Sequence, residues 1–218
     1  MSQAWRSRAA VAGLIFLVGC GSESETGNVS PAAAPPGSAA PATTENLPLV
    51  AHPEYANWSR FPVGTTVVRK KEVASESETV HVTTTLRLIE KTADKVDVER
   101  QVSVDRPGRP LEQNPPIKFH FFATFPLPQG MQLEQFSLPS LEAKLVGEEI
   151  RAACGREYQA QLFAWEEVNE TGPMTVKLWR SNDIPGRMLR QEINGRDHIS
   201  VEEVVEIIQP GGAALPGA

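Results

Sequence analysis

The sequence predicts a mainly β protein, with one antiparallel sheet of about eight to nine strands following a short N-terminal helix. Three observations support this fold class. Apolar and polar residues alternate over many short segments, turn-forming residues separate these segments, and no long amphipathic helix is present. Sequential strands of this kind pair most simply as a meander.

The helix comes first, over residues 53–60. Pro53 and Glu54 suit a first helical turn, and Pro62 and Gly64 end the segment. The clearest strand is KVDVERQVSVD (95–105), in which the valines share one face and Arg100 falls among them. The full set of predicted strands is 65–73, 79–91, 95–105, 117–125, 148–154, 157–166, 173–181, 187–194 and 198–208.

Turn signals lie between the strands. The strongest is Asn194-Gly195, because a type I′ hairpin turn needs a positive φ at both central residues, and Asn-Gly tolerates this best. The connection 106–116 is polar and rich in proline, as expected of a loop.

The connection 126–144 is unusually apolar for a loop. Its candidate contact residues are Met131, Leu133, Phe136 and Leu138. Side chains of this type must cover something. Two interpretations stay open: the segment plugs one end of the sheet as a satellite core, or it forms the lid of an apolar ligand cavity.

Residues 1–19 predict a signal peptide. Arg6 and Arg8 precede the uncharged run AAVAGLIFLVG (9–19), which is too short to cross a bilayer as a helix but suits a secretory leader. A cleaved signal with a chance cysteine, or a short buried helix, are the alternatives. Leu17-Val18-Gly19-Cys20 resembles the lipobox of bacterial lipoproteins.

That resemblance implies that Cys20 is acylated and becomes the mature N-terminus, anchored in a membrane. Gly21 resembles the outer-membrane class of such lipoproteins, which implies a cell-envelope location facing the periplasm. Residues 21–46 are rich in Ala, Pro, Ser and Gly, so 20–46 is predicted to be a lipidated cysteine with a disordered tether.

Residues 47–209 are predicted to form a single β-rich domain, followed by a disordered tail (210–218). Removal of 1–19 takes away two positive charges and no negative ones, so the formal net charge goes from −6 to −8. An acidic domain offers no electrostatic footprint for nucleic acid and should not lie flat on an anionic membrane surface. The oligomeric state is left open.

The architecture as a whole resembles half-barrel lipoproteins of the LolA/LolB/LppX type. The stretches GEEIRAACGREYQAQLFAWEE (147–167) and WRSNDIPGRMLRQEI (179–193) resemble segments of bacterial lipoproteins of this general shape. The resemblance implies a curved sheet or half-open barrel with acyl chains held on its concave face. It covers architecture only, and fold does not fix function.

No catalytic pattern is visible in the sequence. The four histidines lack zinc-like spacing to other ligands, and neither a GxSxG motif nor a CxxC pair occurs, so no catalytic residue, metal or cofactor is predicted. Cys154 is expected to be an unpaired, half-buried thiol at a strand end, although nearby arginines make a redox role conceivable. The sequence therefore favours a non-enzymatic binding or structural module for an apolar ligand or an envelope protein. The alternatives are an envelope hydrolase with a site built across strands and a purely architectural lipoprotein.

Overall fold

The computed structural model describes residues 47–170 and 172–212, and it confirms the mainly β fold class. The helices are α1 (Pro53–Trp58) and α2 (Leu133–Ser137). The strands are β1 (Leu49–Ala51), β2 (Thr66–Ser75), β3 (Thr79–Lys91), β4 (Lys95–Asp105), β5 (Glu112–Gln113), β6 (Ile117–Phe122), β7 (Thr124–Pro126), β8 (Lys144–Ala153), β9 (Arg156–Asn169), β10 (Gly172–Arg180), β11 (Met188–Asn194) and β12 (His198–Ile208).

Ten of these strands form one antiparallel sheet. Its order is β5-β4-β3-β2-β12-β11-β10-β9-β8, with β6 pairing along the same outer edge of β4 as β5. Neighbours in space are mostly neighbours in sequence, as predicted for a meander. The exception is β12, which returns to lie between β2 and β11. Within the described residues the two outer edges do not pair with each other, so the sheet stays open.

The predicted strand 117–125 is wrong at its C-terminal end, because Ala123 interrupts it and separates β6 from β7. The Ala123 amide donates to the Asp94 carbonyl at 2.7 Å, and its carbonyl accepts from the His52 amide at 3.0 Å. These bonds take the backbone out of the main sheet. β7 then pairs with β1 as a separate two-stranded ribbon.

The type I′ turn predicted at Asn194-Gly195 is also wrong. β11 and β12 are joined through residues 195–197, with the Gly195 amide bonded to the His198 carbonyl at 3.0 Å. The paired positive φ values occur instead at Cys154 (50°) and Gly155 (74°), between β8 and β9. Two residues of this conformation form the tight turn whose twist suits a hairpin.

Helix α1 covers part of one sheet face. Pro53 opens it at N1, and the His52 side chain caps it by accepting a hydrogen bond from the Glu54 amide at 3.1 Å. Trp58 and Phe61 are 2% and 0% exposed. They pack in the main core cluster with residues from the sheet, among them Val67, Leu88, Val96 and Val98.

The β8–β9 hairpin completes this cluster. β9 continues past the end of β10, so residues 156–160 pair only with β8. Tyr158 and Ala160 from this overhang are buried in the main core cluster. The Cys154 thiol at its tip lies 3.7 Å from the Val204 carbonyl of β12, so the overhang reaches back across the sheet.

A second, smaller core cluster contains Phe163, Trp165, Val176 and Leu178 from β9 and β10. Along β9, Phe163 and Trp165 point to the face opposite that of Tyr158 and Ala160. This strand is therefore buried on both faces. Ala143 and Leu138 cover the second cluster.

Polar contacts fix α1 to the segment between β10 and β11. Asn57 is buried, its Nδ2 donates to the Asn182 carbonyl at 2.9 Å, and its Oδ1 accepts from the Gly186 amide at 2.7 Å. Gly186 has a φ of +72°, and a Cβ there would lie 3.0 Å from Arg69 Nη2 and 3.3 Å from the Trp58 ring. Glycine therefore permits the close approach of this segment to the helix.

Replacing Asn57 with Ala should lower the free energy of unfolding by about 1–3 kcal/mol, because the Gly186 amide loses its partner, whereas the Asn182 carbonyl still accepts from Arg60 Nη1. Urea denaturation of the full chain measures the change. Asn114→Ala is the matched control, since Asn114 is exposed and its amide bond to the Val102 carbonyl does not need the side chain. Equal stability of the two variants would contradict the role of the Asn57 side chain in fixing α1 to the segment between β10 and β11.

Candidate functional site

The four candidate contact residues of the connection 126–144 pack in different places, and none lines either of the two cavities described below. Phe136 stacks on Phe125 with ring centroids 4.0 Å apart and lies against His52. Leu138 packs on the second core cluster, Met131 is half-buried, and Leu133 is 47% exposed. The packing of Phe136 and Leu138 is what a satellite core would show, and the lid role stays a prediction.

A partly exposed apolar surface lies elsewhere, on the face of β2, β3 and β4 that also carries the main core. Strand register places Val67 beside Leu86, and Leu88 beside Val98, at the covered end of this face. At the other end of these three strands, five half-buried valines lie on the same face and belong to neither core cluster. We call this set the valine strip: Val73, Val80, Val82, Val102 and Val104.

Two arginines separate the valine strip from the covered core. Arg69 pairs across strands with Thr84, and Arg100 pairs with Leu86, which is the next position on the same face. The Nε atom of each guanidinium is buried without a hydrogen-bond partner among the described residues. A buried donor of this kind costs free energy unless something accepts from it.

The two arginines are held differently. Arg69 Nη2 donates to the Gly186 carbonyl at 3.3 Å, and burial lowers the pKa of its guanidinium, an effect that Glu202 and Glu54 partly oppose. The Arg100 guanidinium lies over the Phe119 ring at 4.9 Å. Lys71 is next along β2 on this face, opposite Val82 and Glu202. The strip is thus apolar with cations at its inner border.

The opposite face of β3, β4 and β6 is polar. Arg87 lies opposite Glu99, and Glu99 lies opposite Lys118, so opposite charges alternate across three strands. Two open cavities of about 330 and 580 Å³ lie here, both lined by Gly64, Arg87 and Glu99. The smaller cavity has a polar and charged lining, whereas the larger one adds Val63, Leu88, Ile89 and Pro210 to its charged residues, and both are open to solvent.

A histidine–aspartate pair lies on the same polar face. His120 Nδ1 is 2.8 Å from Asp97 Oδ1, and Lys95 Nζ is 2.9 Å from Asp97 Oδ2. Burial alone would raise the pKa of Asp97, but the hydrogen bonds from His120 and Lys95 outweigh it and hold the pKa at about 2. Asp97 is therefore ionised at neutral pH.

The pair was missed in the sequence, where the four histidines show no zinc-like spacing and no catalytic residue is predicted. The His120 ring is half exposed, but it is bound to a carboxylate that is only 5% exposed. Neither residue lines the two cavities, and no hydroxyl or thiol within the described part of the chain bonds to His120. A hydrogen-bonded histidine and carboxylate can act as a general acid or base, but among the described residues no nucleophile is bound to this pair.

Other reactive side chains are dispersed. Cys154 is exposed at its turn, although its thiol faces the Val204 carbonyl. Partial burial of the sulfur raises the pKa of the thiol, and the negative charge of Glu206 raises it further. A raised pKa disfavours the thiolate needed for redox chemistry.

In residues 47–170 and 172–212, no group of three or more His, Cys, Asp or Glu side chains could hold a metal ion. No helix in this part is long and apolar enough to cross a membrane. Cys20 lies outside the described residues.

Comparison with known proteins identifies no family. No family model matches the chain, and no curated protein matches it. Among solved structures, a candidate exported protein with a YmcC-like fold from Bacteroides fragilis overlaps with a TM-score of 0.45 at 8% identity, covering 68% of this chain and 97% of its own. A candidate lipoprotein from Parabacteroides distasonis gives 0.42 at 12% identity, covering 68% and 98%. Similarity at this level supports no conclusion about what this chain does.

Replacing Asp97 with Asn should lower the free energy of unfolding by about 1–2 kcal/mol at pH 7, because the ionised carboxylate binds both His120 and Lys95. The pKa of Asp97 is depressed to about 2 from an ordinary 3.8, so its contribution is full above the ordinary value and is lost as the pH falls through the depressed one.

The difference between the two proteins should therefore shrink as urea denaturation is repeated from pH 4 down to pH 2. Glu99→Gln is the control, since Glu99 lies on the same face of the same strand and forms no ion pair with His120 or Lys95 among the described residues. A gap between Asp97→Asn and the parent that does not change with pH would contradict the assignment.

Proposed function

We propose that this protein is a lipid-anchored, non-enzymatic module of the cell envelope that binds a lipid-like ligand. The observation that carries the ligand is the valine strip. It continues the core face beyond the reach of α1, and it is apolar where a soluble sheet face would ordinarily be polar.

The border of the strip indicates the ligand's chemistry. Arg69 and Arg100 bring positive charge to the inner end of an apolar surface, and Lys71 lies farther along, opposite Val82 and Glu202. An anionic amphiphile matches this arrangement, with its head group toward the guanidinium groups and its acyl chain along the valines. Each buried methylene of such a chain contributes about 0.8 kcal/mol.

The anchor is proposed from the sequence. The basic start, the apolar run and Cys20 together resemble a lipoprotein signal, and the tether 21–46 would keep the folded part near the bilayer without fixing its orientation. A thioether-linked diacylglycerol supplies two acyl chains, and two such chains suffice for stable anchoring. An outer-membrane position facing the periplasm follows from Gly21 by the same resemblance.

Mass spectrometry of the full chain purified from its own membranes should find residues 1–19 removed and Cys20 carrying a diacylglycerol. The Cys20→Ser variant is the control, and it should lose both the added mass and the membrane fraction. An unmodified Cys20 in the membrane-derived protein would contradict the anchor while leaving the ligand surface untested by that result.

Ligand binding can be tested with 11-(dansylamino)undecanoic acid, a fluorescent fatty acid, and the full chain carrying Cys20→Ser. Val82→Asp and Val102→Asp each place a carboxylate within the strip, so each should weaken binding about tenfold or more, equivalent to about 1.4 kcal/mol. Val168→Asp is the matched control, because Val168 is 82% exposed and lies away from the strip.

The methyl ester of the same probe tests the role of the arginines, since it keeps the chain and lacks the charge. It should bind more weakly than the acid, and Arg100→Gln should remove that preference. Equal binding by the strip variants and the Val168→Asp control would contradict the proposed surface.

The His120–Asp97 pair favours a second candidate, an envelope hydrolase. Turnover of a lipid ester that depended on His120 and survived in Val82→Asp would favour that function over ligand carriage.

A further inference from the structure

Strand β8 is an open edge of the sheet. Among the described residues it pairs only with β9. Leu145, Val146 and Ile150 on this strand are 53%, 61% and 66% exposed. An unpaired edge with exposed apolar side chains is a template on which another strand can add.

The turn at its end determines which backbone groups are available. Cys154 and Gly155 form a two-residue turn closed by the pair Ala153 and Arg156, whose amides and carbonyls bond each other in a hairpin of this kind. Bonding toward the partner alternates along an antiparallel strand. The amides and carbonyls of Ala152, Ile150 and Glu148 therefore point outward.

The usable length of the edge is also limited. The register of β8 against β9 shifts at Val146, which is a bulge that locally bends the strand. The regular part runs from Gly147 to Ala153. A strand that adds here must match seven residues.

We propose that the occupant of this edge is a second copy of the chain, paired antiparallel through β8 and centred on Ile150. Outward-pointing groups meet only in registers that pair members of the set Glu148, Ile150 and Ala152 with each other. Of these registers, the Ile150-centred one uses all seven regular residues.

Charge separates this register from the others. It places Glu149 opposite Arg151 of the second copy, and the same pair repeats by symmetry. A shift of the centre by one residue toward the N-terminus sets Glu149 against Glu149. A shift by one toward the C-terminus sets Arg151 against Arg151, and like charges directly opposite are unfavourable. A register centred on Glu148 sets Glu148 against Glu148 and extends across the bulge. A register centred on Ala152 pairs only the last three residues of the regular part.

The side chains are arranged for this pairing before the copies meet. Arg151 lies over the Trp179 ring at 4.2 Å and donates from Nε to Glu149 Oε1 at 2.8 Å, while Trp179 Nε1 donates to the same oxygen. These bonds engage Oε1 and leave Oε2 and the terminal guanidinium nitrogens to meet the other copy. Ile150 projects from the opposite face, where it would contact Ile150 of the second copy.

Cysteine cross-linking tests the register directly. In the full chain carrying Cys154→Ser, Ile150→Cys should form a disulfide-linked dimer on mild oxidation, because paired Cα atoms at a hydrogen-bonded position lie about 5.5 Å apart, within disulfide reach. Val168→Cys in the same background is the control, since it is more exposed but off the edge. The Cys154→Ser parent reports any background from Cys20.

Light scattering over a concentration series provides the second readout. Ile150→Lys should shift the parent dimer to monomer, whereas Val168→Lys should leave it a dimer. The proposal is overturned if the parent is monomeric throughout the series, or if Val168→Cys cross-links as well as Ile150→Cys.

Discussion

One face of the open sheet has to be covered, and helix α1 provides that cover together with Tyr158 and Ala160 of the β8–β9 overhang. Trp58 and Phe61 bury against the strand residues of the main core cluster, and Asn57 fixes the helix to the segment between β10 and β11. Glu54 strengthens this attachment, since Arg187 Nη2 lies 2.6 Å and Arg180 Nη2 lies 3.4 Å from its Oε1. Without these contacts a large apolar surface would face water.

The same arrangement accounts for the surface that is left uncovered. Six residues of helix reach only one end of strands that are ten to thirteen residues long. The alternation of β2, β3 and β4 keeps presenting valines to the same side beyond that reach, and Arg69 and Arg100 mark the boundary. We propose that a ligand covers this part of the face, because its five valines lie beyond the main core cluster.

The sequence predicted the fold class because period-two alternation is a local signal, and strands such as 95–105 carry it clearly. The short helix was predicted from Pro53 and Glu54 for the same reason. The break at Ala123 was not predictable, since it depends on bonds to His52 and Asp94 that are distant in the chain. A turn at Gly155 between strands 148–154 and 157–166 was predicted, but its positive φ at Cys154 was not, because Cys rarely takes a positive φ. Asn194-Gly195 had the favoured residues and a longer connection instead. Arg100 could be placed on the apolar face from alternation alone, but its proximity to Arg69 required the strand register.

The most direct test of the central claim, that the uncovered end of the core face binds an anionic amphiphile, is native mass spectrometry of the full chain extracted from its own membranes. A bound mass, separate from the covalent anchor, should dissociate on activation and should disappear in Val82→Asp while remaining in Val168→Asp. A protein that carries only its covalent modification, or a bound mass that persists in Val82→Asp, would contradict it.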